Sequence, residues 1–347
     1  MKKLQMKYRI LGMFIAVALC ASLAACNSAN ESSVPKETSG ETETSKSDEI
    51  VRPQKDKGEL VIGFETLDSE SPWSQAFVSD VIAALEDRGY NYVYGDARQD
   101  TAKQISDVED LCSQDIDILI MMPIEYTSGG SCLQVAKEAG IPAFLMGRTA
   151  EGDHGSDYVT YVGSDFITQG REVGEWLLEN ATEPLKIVEI TGTTGSSAAI
   201  ERTTGFVEAI EGSDNAEIIV SQNGDFVRAT GQKVMENVIQ SLGKDGFNAV
   251  YCHNDDMAIG AINAMKAAGI KPGEDVLVVA IDGQKEAIQA IIDGDMNMTY
   301  TSSALLGNAI LDAVEAWLNG ASLPQYSYVT DIAIDATNAK DSMDLGF

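Results

Sequence analysis

The sequence predicts an α/β protein built as two doubly wound parallel-sheet lobes, and three observations carry that expectation. Past residue 58, short apolar runs alternate with amphipathic stretches over roughly 290 residues, enough for two domains of ordinary size. Most of those runs are near-continuously apolar rather than alternating, as in strands covered on both faces. The positions that follow them are polar one after another, and open parallel sheets receive ligands beyond the carboxyl ends of their strands.

The elements follow in order. Lys2, Lys3, Lys7 and Arg9 precede the unbroken apolar run "ILGMFIAVALCASLAA", which is too short and wrongly flanked for an ordinary spanning helix and reads as an export signal over residues 1–25. It ends in "LAAC", Leu23 to Cys26, which resembles the lipobox of bacterial lipoproteins. That resemblance makes Cys26 the lipidated mature N-terminus, and an uncleaved N-terminal anchor is the alternative; both place the protein outside the cytoplasm, tethered to a membrane. Residues 27 to 58 are rich in Ser, Thr, Glu and Lys without an aromatic residue, so the stretch 26–58 is expected to be a disordered tether. Strands are predicted over 59–65, 90–96, 117–123, 141–147, 158–163, 185–192, 216–222, 247–252 and 275–283. Helices lie between them, because Phe77, Val81, Ala84 and Leu85 share one helical face, as do Ala258, Ala261, Ile262 and Met265.

The formal net charge is -30, more negative still once the four cations of the signal are removed, which argues against nucleic acid or anionic lipid headgroups as partners. With Cys20 in the signal and Cys26 carrying lipid, Cys112, Cys132 and Cys252 remain. An odd number at unrelated spacings is no disulfide framework. Cys112 and Cys132 could pair or serve as small apolar residues.

The polar positions after the runs are the candidate site. They comprise "LDSESPW" (67–73) with Glu70, Ser71 and Trp73, then Ser74; "GRT" with Arg148; the turn "TGTTGSSAAIER" ending at Arg202; "GDF" with Asp225 and Phe226; "HNDD" with Asn254; and "IDG" with Asp282. Aromatic plates, two arginines, an amide and carboxylates are the mixture a sugar needs, since its hydroxyls are arrays of donors and acceptors and its C–H faces stack on rings. Other chemistries fare worse. The chain has only two histidines, His154 and His253, too few for a metal centre, and no metal or other cofactor is implied. No catalytic signature of the Ser-His-Asp, HExxH or Cys-His kind is present. Adjacent Asp255 and Asp256 at a helix start point apart, a poor acid/base pair, and one of them is expected to cap that helix. The Gly-rich turn lacks the Gly-Lys-Ser/Thr of a phosphate loop and reads as a tight turn bringing backbone toward the ligand.

From about Glu59 onward the chain resembles the type I periplasmic sugar-binding proteins of ABC importers, in their ribose and galactofuranose branch. "GDFVRATGQKVMENVIQ", "HNDDMAIGAINAMKAAGIKPGEDV" and "IDG" carry the likeness, together with "SESPW" and "AIERTTGF". The resemblance implies three chain crossings between lobes, near residues 161–164, 301–304 and 330–333. Lobe 1 would then be 59–162 plus 303–331, and lobe 2 163–302 plus 332–347. It makes Trp73 a stacking wall with Glu70, Ser71 and Ser74 beside it, Arg148 and Arg202 forked donors, and Asn254, Asp282, Asp225 and Phe226 contacts from lobe 2. It further implies a monosaccharide as ligand, an ABC permease as membrane partner, and a monomer, not an enzyme. A sensing domain that hands its closed form to a signalling partner is the alternative, and a sugar-modifying enzyme a more distant one. Two departures leave the sugar open: Gly147 stands where the family has Asp before the first arginine, and Ser74 where galactofuranose-binding members have Arg. Glu70 and Glu125 are the candidates to supply the missing carboxylate.

Overall fold

The structure is a computed structural model that describes residues 50–347. The predicted signal, Cys26 and the first part of the tether lie outside the described residues. The described end of the tether, 50–58, is not free chain. Arg52 donates from Nε to the Trp317 carbonyl at 2.7 Å and lies over the Trp317 ring at 5.0 Å, while Lys57 Nζ pairs with Glu315 at 2.7 Å. The fold therefore begins earlier than the composition suggested, because two cations within the polar stretch find an acidic, aromatic helix to lie on.

In chain order the first half runs β1 (Val61–Thr66), α1 (Pro72–Asp87), β2 (Asn91–Asp96), α2 (Thr101–Ser113), β3 (Ile118–Met121), α3 (Tyr126–Ala139), β4 (Ala143–Met146) and β5 (Tyr161–Gly163). The second runs α4 (Phe166–Asn180), β6 (Leu185–Thr191), α5 (Ser197–Ile210), β7 (Ala216–Asn223), α6 (Arg228–Leu242), β8 (Ala249–Cys252), α7 (Asp255–Ala267), β9 (Leu277–Asp282), α8 (Lys285–Asp293) and β10 (Met298–Thr301). The chain then returns through α9 (Gly307–Leu318) and β11 (Tyr326–Tyr328) and ends past β12 (Ala333–Asp335). One sheet has the order β11-β5-β4-β3-β1-β2 and the other β12-β10-β9-β8-β6-β7. Both are doubly wound and parallel, as the apolar runs predicted, save that β12 lies antiparallel to β10 at an edge.

The continuous apolarity of the strands has a direct cause. Ile118 and Ile120 of β3 enter the core under α1 and α9, whereas Leu119 and Met121 enter a separate core under α2 and α3. With a two-residue side-chain period, a strand covered on both faces must be apolar at every position. The nine predicted strands are all present. The strands β10, β11 and β12 were not predicted, because "MTYT", "YSY" and "AID" carry polar residues that break the apolar run.

Helix starts are set by side chains that take up the free N–H groups of the first turn. Ser71 accepts from Ser74 N in α1, with Pro72 at the first helical position, and Ser196 caps α5 by accepting from Ala199 N. At α7 the capping residue is Asn254, which accepts from Met257 N at 3.0 Å, and not Asp255 or Asp256. Among the described residues no helix is long and apolar enough to cross a membrane. Cys112, Cys132 and Cys252 are free thiols, so the pairing open to Cys112 and Cys132 is not made.

Candidate functional site

The carboxyl ends of the two sheets face one another across a cavity of about 480 Å³. Glu70, Ser71, Trp73, Ser74, Arg148, Arg202, Asp225, Phe226, Asn254 and Asp282 all line it. The structure thus brings every sequence-predicted site residue to one place.

The first wall grows from the ends of β1 and β4. Asp68, 5 % exposed, organises the turn after β1: its Oδ1 accepts from Glu70 N at 2.9 Å, and its Oδ2 accepts from Gln99 Nε2. This turn delivers Ser71 and Ser74, whose hydroxyls bond to each other at 2.9 Å. It also delivers Trp73, stacked on Phe77 with centroids 4.9 Å apart and donating from Nε1 to the Ser302 carbonyl at 2.9 Å. A ring held on one face and by its nitrogen has little freedom, which suits it to present an apolar plate. Arg148 follows Gly147, whose φ of +70° is a conformation glycine adopts without penalty. Among the described residues the Arg148 side chain makes one hydrogen bond, from Nη1 to the Ile124 carbonyl at 2.7 Å. Burial lowers its pKa to about 10, with Asp68 opposing, so it remains a cation at neutral pH with most of its donors uncommitted.

The second wall comes from β6, β8 and β9. α4 and α5 pack backbone to backbone where a side-chain carbon on Gly205 would fall 1.9 Å from the Ile167 carbonyl oxygen. That close approach carries Arg202 to Gln169. Its Nε donates to Gln169 Oε1 at 3.0 Å, Nη1 to the His253 carbonyl and Nη2 to Ser302 Oγ at 3.1 Å, with Asp282 Oδ1 3.6 Å away. Burial pushes the Asp282 carboxyl up and Arg202 opposes it. Asn254 is half committed already, since its Oδ1 caps α7 and its Nδ2 donates to the Phe226 carbonyl at 3.2 Å. The Phe226 ring seats against Gly192, where any side-chain carbon would come within 1.9 Å of it, and lies under both guanidinium groups, 5.3 Å from Arg148 and 5.8 Å from Arg202.

Several features escaped the sequence. Asp68, inside "LDSESPW", has no sequence signal to set it apart, and it, with Glu70, supplies carboxylate to the first wall. Glu125, the other candidate, is not among the lining residues; it precedes α3 and lies against Gly195. Arg98 and Gln99 line the cavity after β2, where the strand-end rule, applied once more, would have found them. Phe166, Arg228, Asp256 and Ser302 also contribute. Residues 192 to 197 of the Gly-rich turn line none of it; the Gly195 carbonyl instead accepts from Tyr126 N at 2.9 Å, joining the two lobes. His253 faces away, 3.2 Å from Glu189 through Nε2 and accepting from Gly192 N through Nδ1.

Backbone strain is concentrated here. Of the non-glycine residues with φ in the positive range, Arg98, Gln99, Asp225, Phe226 and Asp282 line the cavity and Asp115 does not. Such conformations persist where surrounding structure over-determines them, and they cluster at ligand clamps.

Fold and cavity together define a two-lobed binding protein, and the periplasmic binding protein domain family matches residues 62–322. The chain belongs to that family, a family of binding proteins and not of enzymes. It is 38 % identical over 269 residues to the galactofuranose-binding protein YtfQ of Escherichia coli (strain K12), covering 77 % of this chain and 84 % of that one. It is 30 % identical over 265 residues to the ribose import binding protein RbsB of Bacillus subtilis (strain 168), covering 76 % and 83 %. Among solved structures, the binding component of the arabinose ABC transporter of Shewanella sp. ANA-3, bound to α- and β-L-arabinofuranose, aligns with a TM-score of 0.78 at 36 % identity, covering 82 % of this chain and 95 % of that chain.

Proposed function

We propose that this protein is an extracytoplasmic solute-binding lipoprotein, anchored through lipid on Cys26, that captures a monosaccharide of furanose or related type between two closing lobes and delivers it to an ABC permease. The observation that carries this reading is the pairing of Arg148 and Arg202 on opposite walls of one cavity, with Trp73, Phe226, Asp68 and Asp282 around them. Forked donors and carboxylates satisfy ring and hydroxyl oxygens, and the aromatic faces take the apolar side of the sugar. Residues 59–162 with 303–331 form one lobe in this reading, and 163–302 with 332–347 the other. A sugar that touches both walls stabilises the closed arrangement over the open one, and the permease reads the closed rim of a monomer.

The test is a thermal-shift panel on protein stripped of carried-over ligand by partial unfolding and dialysis. It spans L-arabinose, D-galactose, D-ribose, D-fructose, glucuronate and myo-inositol. Ligand at a hundredfold over its dissociation constant adds about 2.7 kcal/mol of stability. A large shift with one or two sugars, none consumed, supports the receptor reading. No shift across the panel overturns it.

A further inference from the structure

A second cavity, of about 360 Å³, lies between the lobes and shares no lining residue with the first. Tyr126, Thr149, Tyr158 and Tyr326 come from elements on the side of the first sheet, and Glu201 comes from α5 on the side of the second. We propose that this cavity is a second ligand site, for a small organic cation of the alkylammonium kind, and that its occupancy is coupled to closure of the sugar cleft.

The chemistry differs from that of the first cavity, which mixes arginines with the carboxylates of Asp68, Glu70, Asp225, Asp256 and Asp282. Four arginines line the first, Arg98, Arg148, Arg202 and Arg228, whereas the second has no Lys, Arg or His among its lining residues and a single carboxylate. Three tyrosine rings with one carboxylate offer a cation both quadrupole attraction and a counter-charge, and an anion neither. A chain of net charge -30 also concentrates small cations at its surface.

Two of the three rings, Tyr158 and Tyr326, are held in place before anything binds. Gln325 Nε2 donates to the Tyr158 hydroxyl at 3.0 Å and to the Tyr326 hydroxyl at 3.1 Å. Tyr326 stacks on Tyr328 with centroids 5.4 Å apart and planes 6° from parallel, and meets Tyr161 edge-on at 6.1 Å. Yet Tyr326 stays 42 % exposed, so fixed aromatic surface is left uncovered at the cavity, and Tyr126, 39 % exposed, adds a further ring. Rigid rings lose little entropy on binding.

Coupling follows from where the walls belong. Thr149 N donates to Ser197 Oγ at 3.0 Å and Thr149 Oγ1 to Glu201 at 3.4 Å, so the cavity exists as a cage only while the lobes are together. Glu201 is pushed up to about 7 by burial, with Asp165 adding to the rise and Thr149 and Arg202 opposing it. A bound cation favours its ionised form, so affinity falls as pH drops below neutrality.

The test is calorimetric titration of the full chain with choline, tetramethylammonium and 3,3-dimethyl-1-butanol, the uncharged isostere of choline, without sugar and again with a saturating sugar from the panel. The expected result is binding of the two cations but not the alcohol, roughly tenfold weaker in Glu201→Gln and in Tyr326→Leu, and tighter when sugar is present. Melting curves establish that both variants fold, and Tyr126→Leu serves if one does not. Failure of both cations to bind with sugar present as well as without it, equal binding of the alcohol, or undiminished affinity in the variants overturns the assignment, and an affinity that sugar does not raise overturns the coupling. A cation that bridges both walls can itself draw the lobes together, so binding in the sugar-free titration stands or falls independently of the sugar-receptor reading.

Discussion

Arg148 and Arg202 occupy opposite walls of one cavity and are about equally buried, at 6 % and 3 % exposure, yet they are held in opposite ways. Arg202 is tied to Gln169, the His253 carbonyl and Ser302 and lies beside Asp282. The Arg148 side chain has only the Ile124 carbonyl as a hydrogen-bond partner among the described residues. The same contrast recurs one layer down, at two buried glutamates near the ends of topologically equivalent strands. Glu189 of β6 is bonded to His253 and Thr203, which outweigh burial and hold its carboxyl below the usual range. Glu65 of β1 has no hydrogen-bond partner on either oxygen among the described residues, and burial, aided by Asp107, pushes it up to about 9. The protein itself satisfies the arginine of one wall; the arginine of the other keeps donors that a ligand can complete.

The largest effect that would break this contrast is at Arg202. Its replacement by alanine strands Gln169, Ser302 and Asp282 together, so Arg202→Ala is expected to lose sugar binding and also about 3 kcal/mol of stability by chemical denaturation. Arg148→Ala removes a group with one protein partner. Binding should weaken by roughly 100-fold with little change in the unfolding midpoint, and an equal loss of stability in both variants would erase the distinction.

The buried glutamates sharpen the comparison through pH. Glu65 moves from an ordinary value of 4.5 to about 9 on folding, so across that window the folded chain keeps a proton that the unfolded chain has released. Its stabilising contribution is present below the lower value and declines as pH rises toward the upper one. Glu65→Gln is therefore expected to be neutral near pH 5 and to stabilise by about 1 to 3 kcal/mol near pH 8, read from melts at the two pH values. Glu189→Gln should destabilise at neutral pH instead, because it replaces an ionised carboxylate that its partners prefer. The smallest effect is expected at Trp73, where Trp73→Phe keeps an aromatic face and should weaken sugar binding about threefold to tenfold.

Much of this arrangement was legible before any coordinates. Doubly covered strands must be apolar throughout, so the central strands of both sheets stood out, and the strand-end rule located residues on both walls. The rule did not tell apart neighbours with different duties. In "HNDD", Asn254 both caps α7 and lines the cavity, Asp255 is buried on Thr299 and Gln284, and Asp256 pairs with Arg228. The division depends on which way each residue faces at a helix start, and composition does not encode that. Asp68 was missed for a similar reason, since a carboxylate that organises its own turn looks like any other turn aspartate. The second cavity had no local signal at all: its tyrosines are 32 and 168 positions apart along the chain and meet only through the fold.

The central claim is that a sugar closes two lobes on one cavity, in which the protein already holds Arg202 while Arg148 keeps donors to spare. Small-angle X-ray scattering tests it directly, on ligand-stripped protein before and after addition of the sugar that gives the largest thermal shift. The expected result is a contraction of about 1 Å in radius of gyration, to a profile matching the structure with its Tyr126–Gly195 and Thr149–Ser197 contacts made. Unchanged scattering with that sugar bound would contradict the account.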